Sequence, residues 1–294
     1  MDPEMIIDLH IHTKTCSDGN LPVQDVVKEA KARGINLMSI TDHDSIGCQK
    51  QTKELAQTNQ INYVTGVELN ITFSHPDFLN GKPVSLDLLG YQFDINNSPL
   101  QNKLQQMSQH REQRAKEILE KLNTEFSKQG LANFTETDLK NIQDSADGVL
   151  GRPHIADYMV KKGIVADRKE AFLSYLVKCN VSKYPLSLEE ASDLVRNAGG
   201  IVVLAHPNDP YGTSLVKLSS SLQDQTRMVK ESMLPYLDGI ECWHSRSTAE
   251  TTCHYVEFCK KQNLIMTGGS DCHQKPVIMG TVKIPDFVAE QFLK

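Results

Sequence analysis

Seven short apolar runs alternate with helical segments along this chain, and six of them carry histidine, aspartate or glutamate at or just past their C-terminal ends. The runs span residues 5–12, 37–41, 63–70, 84–92, 201–205, 239–242 and 264–267. Repeated strand–helix units predict an α/β protein built on a parallel sheet or a (β/α) barrel. In both, active sites form at the C-terminal ends of the strands. The chemistry-bearing residues therefore fall on the end where such a fold does its work.

One stretch breaks the alternation. Ser98-Pro99 opens a long helix that runs to about residue 128 and stops at Gly130. Its apolar stripe is Leu100, Leu104, Met107, Ile118, Leu119, Leu122 and Phe126, interrupted by the charged run 110–116. Further helical pieces follow at 137–143, 153–162 and 168–177, with no strand pattern between about 96 and 185. This predicts a barrel domain over 1–97 and 186–294, interrupted by a helical cap over 98–185. Alternation resumes with Ser187 capping a helix over 188–197. The tail offers one more strand at 277–282.

Charge and cysteines narrow the setting. There are 31 Lys+Arg against 37 Asp+Glu, a formal charge of −6, so no basic track suits long duplex nucleic acid. No stretch approaches the ~20 apolar residues of a membrane span. The seven cysteines include no C-x-x-C pair, and Met1-Asp2-Pro3-Glu4 leads straight into the first strand without a leader pattern. A reduced, cytoplasmic protein is the expectation. Oligomeric state is not legible.

The strand ends carry the function. Asp8, His10 and His12 alternate along one strand and share a face. Asp18 sits in the following turn, Asp42, His43 and Asp44 end the second strand, and Glu68 ends the third. Asp87 lies in the fourth, His206 ends the fifth, and Asp271 and His273 follow the seventh. One zinc takes four ligands. About ten nitrogen and oxygen donors at one mouth thus imply two or three divalent ions. A ligand set of imidazole and carboxylate suits Mn, Zn or Fe. Cys272 alternates away from Asp271 and His273 and reads as a buried apolar residue.

Six segments together resemble the PHP (polymerase and histidinol phosphatase) phosphoesterase family. They are Ile7-Asp8-Leu9-His10-Ile11-His12-Thr13, Ser17-Asp18-Gly19, Thr41-Asp42-His43-Asp44, Gly66-Val67-Glu68, Ala205-His206-Pro207 and Gly269-Ser270-Asp271-Cys272-His273. The chain looks most like the small stand-alone branch that acts on nucleotides and short nucleic-acid ends. The resemblance implies a distorted (β/α)7 TIM-like barrel holding three metals. On that analogy His10, His12, Glu68 and Asp271 hold the first ion, and Asp18, His43 and His273 the second. Glu68 bridges to a third, completed by His206 and position 87. The family usually has His there; this chain has Asp87, with His75 as a rival ligand in a nearby loop. Asp42 is expected to orient His43 or another ligand.

A second set of segments lies in the helical insertion. Gly151-Arg152-Pro153-His154 and Ser182-Lys183-Tyr184 resemble those from which the stand-alone branch presents cations to substrate phosphate. Arg forks match phosphate oxygens and Lys adds a point charge. Arg152, His154 and Lys183 are thus the expected catalytic and substrate-binding cap residues, with His244 and Arg246 joining them at the mouth. The expected reaction is phosphoester hydrolysis on a nucleoside monophosphate, a 3′,5′-bisphosphate or a short oligonucleotide end. Divalent ions lower the pKa of a bridging water from 15.7 toward ~7 and make hydroxide available. Two other readings remain open: a histidinol-phosphatase or amidohydrolase type of metal hydrolase, and a non-catalytic metal-stabilised binding module.

Overall fold

The computed structural model describes residues 5–145, 150–273 and 276–293. The expectation drawn from Met1–Glu4 lies outside them. The described chain is a mixed α/β fold with eight strands in two sheets. Strands β1 (Ile6–Ile11), β2 (Ile35–Ile40) and β3 (Asn62–Tyr63) form a parallel three-stranded sheet. Strands β4 (Gly66–Phe73), β5 (Val84–Tyr91), β6 (Ile201–Leu204), β7 (Gly239–His244) and β8 (Ile265–Gly269) form the second, in sequence order.

Three expectations change. The third predicted strand divides, because the chain changes partners at Val64-Thr65. The Val64 N–H donates to Met38 O of β2, whereas Thr65 O accepts from Gln92 just past β5. Strand β5 pairs antiparallel with both β4 and β6, so the sheet is mixed rather than parallel. The β4–β5 connection holds only a 3₁₀ turn, too little for a crossover, and closes as a hairpin instead. Among the described residues, 277–282 form turns and no strand. There the Gly280 N–H donates to Asp8 Oδ2.

The strands make two hydrogen-bonded sheets rather than one closed ring, and the two meet along two seams. At one, the His12 N–H donates to Cys272 O and the Asp271 N–H to His10 O. At the other, the Glu68 N–H donates to Asp42 O and the Asp44 N–H to Glu68 O. Ile7, Leu9 and Leu37 from the first sheet and Leu89, Tyr91 and Val203 from the second share one buried apolar cluster. Each such buried side chain contributes about 1.5–3 kcal/mol. Both seams run through metal-ligand candidates, so the fold and the site share backbone.

Helices α1 (Val23–Ala32) and α2 (Gln49–Thr58) flank the first sheet. Val23, Val26, Val27 and Ala30 are the buried face of α1, as their spacing predicts. Helix α3 (Ser98–Gln129) is capped by Asn97, whose side chain accepts from the Leu100 N–H, one residue before the predicted cap. It stops at Gly130, whose φ of 70° is the left-handed region that suits glycine. With α4 (Glu136–Ser145), α5 (Arg152–Lys161) and α6 (Arg168–Ala171), its second half packs into an apolar cluster of its own around Leu122, Phe126 and Met159. Helix α7 (Leu188–Asn197) has the predicted Ser187 cap. Helices α8 (Leu222–Met228), α9 (Ala249–Gln262) and α10 (Phe287–Glu290) complete the described chain.

The reduced state expected for the cysteines does not hold throughout. Cys16 and Cys48 form a disulfide across a separation of 32 residues. It ties the turn after β1 to the start of α2, and no local spacing announces it.

Candidate metal centre

Nine side chains, from strands of both sheets and the turns that follow them, gather in one cluster, buried except for the half-exposed Asp18, His43 and His273. His10 and His12 come from the end of β1 and the residue after it, and their Nε2 atoms lie 3.1 Å apart. Glu68 Oε2 stands 3.4 Å from His10 Nε2 and 3.2 Å from His12 Nε2. Asp271 Oδ1 stands 3.5 and 3.4 Å from the same two atoms. These are the four side chains that the resemblance assigns to a first ion, and the structure brings them together. Asp18, His43 and His273 gather beside them. His273 Nε2 is 3.3 Å from Asp18 Oδ1, His43 Nε2 is 3.9 Å from it, and the His273 ring stacks on His12 at 3.9 Å. On the other side of Glu68, His206 Nε2 lies 3.0 Å from Oε1 and 3.9 Å from Asp87 Oδ2.

Glu68 joins all three groups. Its Oε1 faces His206, and its Oε2 faces His10, His12 and His43, the last at 3.0 Å from Nδ1. The residue is fully buried, and Oε2 has no hydrogen-bond donor. A buried unpaired carboxylate oxygen carries a full desolvation penalty. Ringed by imidazole nitrogens, it is an acceptor made for a cation. The nitrogen and oxygen donors fit divalent Zn, Mn or Fe.

The charges are strongly coupled. Burial opposes charge on Glu68, Asp18 and Asp271, but the imidazoles, led by His43 for Glu68 and Asp18 and by His273 for Asp271, hold all three well below the usual carboxylate range. Burial likewise opposes a charged His10, yet Glu241, Glu68 and Asp271 lift its pKa well above normal. His12 is lowered by burial and by the neighbouring His273 and His43. Two ligand candidates also hold left-handed backbone, His206 at φ 24° and Asp271 at φ 53°. Such conformations cost about 1–3 kcal/mol each and persist where the surroundings enforce them.

Several expectations take a different form. Asp42 does not bond His43; its carboxylate accepts the Thr13 N–H at 2.7 Å and the Thr13 hydroxyl at 2.8 Å. It thereby holds the turn between His12 and Asp18, and burial raises its pKa to about 7. His75 is not a ligand of this centre: its Nδ1 accepts from the Asp77 N–H and its Nε2 faces Glu231. Asp87 stands near the third position, bonded by Asn70 Nδ2 at 2.6 Å and by the Thr213 hydroxyl. His244 and Arg246 engage the outer oxygen of Asp271, at 3.4 and 3.0 Å, and Arg246 also pairs with Asp209. They position a ligand before they reach any substrate. His154 caps α5, its Nδ1 accepting the Gly151 N–H. Arg152 begins α5 with its guanidinium 5.4 Å from the Phe172 ring.

Lys183 is half-buried, within electrostatic reach of Asp87, Arg111, Arg114 and Arg152. Burial, aided by the three guanidinium groups against the pull of Asp87, lowers its pKa to about 8. Arg111 and Arg114 were hidden in the charged run 110–116 of α3. Arg111 pairs with Asp44, and Arg114 donates to Val181 O and Asn180 Oδ1. With Lys183 they line a small recess beside the centre. Asp8, which shares a face with His10, takes a scaffold role: it accepts the N–H groups of Ser270 and Gly280.

Glu241 on β7 escapes a reading of strand ends, since it sits inside an apolar run. The one available signal is a carboxylate in the middle of Gly-Ile-Glu-Cys-Trp. It is buried, its Oε1 lies 3.0 Å from His10 Nδ1, and its Oε2 accepts the His206 N–H at 2.8 Å. One carboxylate thus orients ligands from two strands, leaving His10 Nε2 toward the cluster. Outer partners of this kind are worth about 10–100-fold in metal affinity. Glu241→Gln is expected to lose that much, measured by chelator competition. Unchanged affinity would show that something else sets the His10 ring.

Comparison with known proteins accords with this geometry. A 5′-3′ exoribonuclease of Haemophilus influenzae is 32% identical over 207 residues, 68% of each chain. A 3′,5′-nucleoside bisphosphate phosphatase of Chromobacterium violaceum is 25% identical over 271 residues, 91% of this chain and 87% of its own. The crystal structure of a Bifidobacterium adolescentis protein assigned as a metal-dependent phosphoesterase superposes with a TM-score of 0.80 at 28% identity, over 99% of this chain and 96% of that one. The PHP domain model matches residues 8–256, which carry Glu68 and all but two of the nine clustered ligand candidates, and this chain belongs to the PHP domain family.

Proposed function

We propose that this chain is a metal-dependent phosphoesterase acting on a small nucleotide-type substrate. The class covers a nucleoside monophosphate, a 3′,5′-bisphosphate or a short oligonucleotide end. The observation that carries the reading is Glu68 Oε2, buried without a donor among three imidazole nitrogens at 3.0–3.4 Å. Activities named for the H. influenzae and C. violaceum relatives support the substrate class. In this reading His10, His12, Glu68 and Asp271 hold one ion, Asp18, His43 and His273 a second, and Glu68, His206 and Asp87 a third. The ions supply Lewis acidity and a water acidified toward neutrality.

The protein's own groups do the rest. Arg152, Lys183, Arg111 and Arg114 draw the phosphate in and stabilise charge on its oxygens, a role that amide hydrolysis would not require. Arg246 and His244 keep Asp271 aimed at His10 and His12. Asp42 fixes the turn that carries Asp18. The two sheets are read as one distorted barrel, with 98–185 as its cap, and the shared apolar cluster and double seam support this. Cytoplasmic location is proposed on the likeness to the bacterial relatives, against the Cys16–Cys48 disulfide, which a reducing cytosol disfavours.

The test is phosphate release by protein loaded with Mn, Zn or Fe. The panel holds nucleoside monophosphates, 3′,5′-bisphosphates, 5′-phosphorylated dinucleotides, histidinol phosphate and an amide. Release from at least one nucleotide is expected; amide turnover without phosphate release overturns the reading. Lys183 adds a pH signature. Its charge is present below about pH 8 and lost above it, so KM is expected to rise as pH climbs through 8. Lys183→Arg is expected to flatten that rise.

A further inference from the structure

The loop after β6 presents an aromatic ring at the mouth of the site. A cavity of about 600 Å³ opens over Asp18, Asp271 and His273 and is walled by Pro153, Arg246 and Tyr211. Tyr211 is 84% exposed, the most exposed large apolar side chain among the described residues. An exposed tyrosine in a loop means little alone, but this loop is fastened on both sides of the ring. Its own N–H donates to Asp209 Oδ1 at 2.9 Å, and Asp209 pairs with Arg246, which holds Asp271. Two residues on, the Thr213 hydroxyl donates to Asp87. Between them, a side chain on Gly212 would collide with the Asp209 carboxylate, so the turn is tightly folded. The ring is thus held on a short span anchored twice to residues of the centre.

We propose that Tyr211 is the stacking platform for the substrate's base. This rests on the phosphoesterase reading and deepens it: the preferred esters carry a planar aromatic group beyond the sugar, and bare sugar phosphates are poor substrates. The cations of the cap take the phosphate on one side of the centre. The open cavity leaves room for the sugar and base on the Tyr211 side, and a volume of this size suits a nucleotide. Stacking has no sequence demand, because every base has a π-face, so purine and pyrimidine esters should both benefit.

The experiment compares adenosine 5′-monophosphate with ribose 5-phosphate in the wild type, Tyr211→Ala and Tyr211→Phe. Competitive inhibition by adenosine against a substrate from the panel gives a second measure. Alanine in place of a stacking aromatic costs about 5- to 150-fold per base. Y211A is expected to lower the ratio of kcat/KM for the base-carrying over the base-free ester by that factor, through KM, and to weaken adenosine inhibition equally. Y211F is expected to keep the ratio within about twofold, since it retains the π-face. An unchanged ratio in Y211A, or an equal loss in Y211F, overturns the assignment. If the wild type releases no phosphate from any ester, the phosphoesterase reading itself fails and takes this one with it. Turnover with a Tyr211-independent ratio overturns only the stacking role.

Discussion

Glu68→Gln is expected to empty the centre and remove activity. The substitution keeps shape and volume, so the strand and both seams should survive, and circular dichroism should stay near wild type, as should Tm when both proteins are compared metal-free. What changes is charge. Oε2 lies 3.0–3.4 Å from three imidazole nitrogens, and Oε1 lies 3.0 Å from His206. A neutral amide cannot serve as the common anionic ligand for adjoining ion positions. Metal ions supply several kcal/mol of transition-state stabilisation. Each 1.36 kcal/mol is tenfold in rate. A fall in kcat/KM of about 10³-fold or more follows, with at least one ion per chain missing by elemental analysis. Metal content and rate within threefold of wild type would show that Glu68 is not the hub.

Gly269→Ala is expected to damage fold and site together. This glycine has no left-handed φ; it is required because strands β1 and β8 approach closely. An added Cβ would lie 2.8 Å from His10 Cα and closer still to its Cβ and N. Those neighbours belong to a strand and cannot swing aside as a flexible side chain would. Overpacking typically costs about 1–3 kcal/mol, and a backbone obstruction belongs at the upper end. For a chain of this size, about 3 kcal/mol lowers Tm by roughly 6–12 °C. The displaced atom belongs to His10, so metal retention should fall in parallel. A Tm within 2 °C of wild type would mean that β1 and β8 meet differently.

The clustered ligand candidates were legible because two simple regularities marked them. Alternation placed Asp8, His10 and His12 on one face, and strand ends collected His43, Glu68, His206, Asp271 and His273. Neither regularity could mark residues whose role depends on packing. Arg111 and Arg114 read as the polar side of a long helix until α3 lies beside Asp44 and Lys183. Glu241 sits mid-strand, where a carboxylate gains meaning only from the imidazole facing it on β1. His244 and Arg246 were placed near the mouth by position, but their bonds to Asp271 are a tertiary fact. The strand-by-strand reading also favoured parallel pairing throughout. The β4–β5 hairpin goes against it because the ten residues 74–83 are too few for a helical crossover.

The seam between β1 and β8 has a consequence for how the molecule comes into being. Asp271 and His273 follow their partners His10 and His12 in the sequence by more than 250 residues. No ribosome-bound chain that stops short of residue 273 can carry the whole of the proposed ligand set. Strand β1 can pair with β2 and set both histidines against Glu68 early, but the side of the cluster that Asp271 and His273 supply closes last. On the proposed ligand set, full metal loading waits for the segment that carries Asp271 and His273.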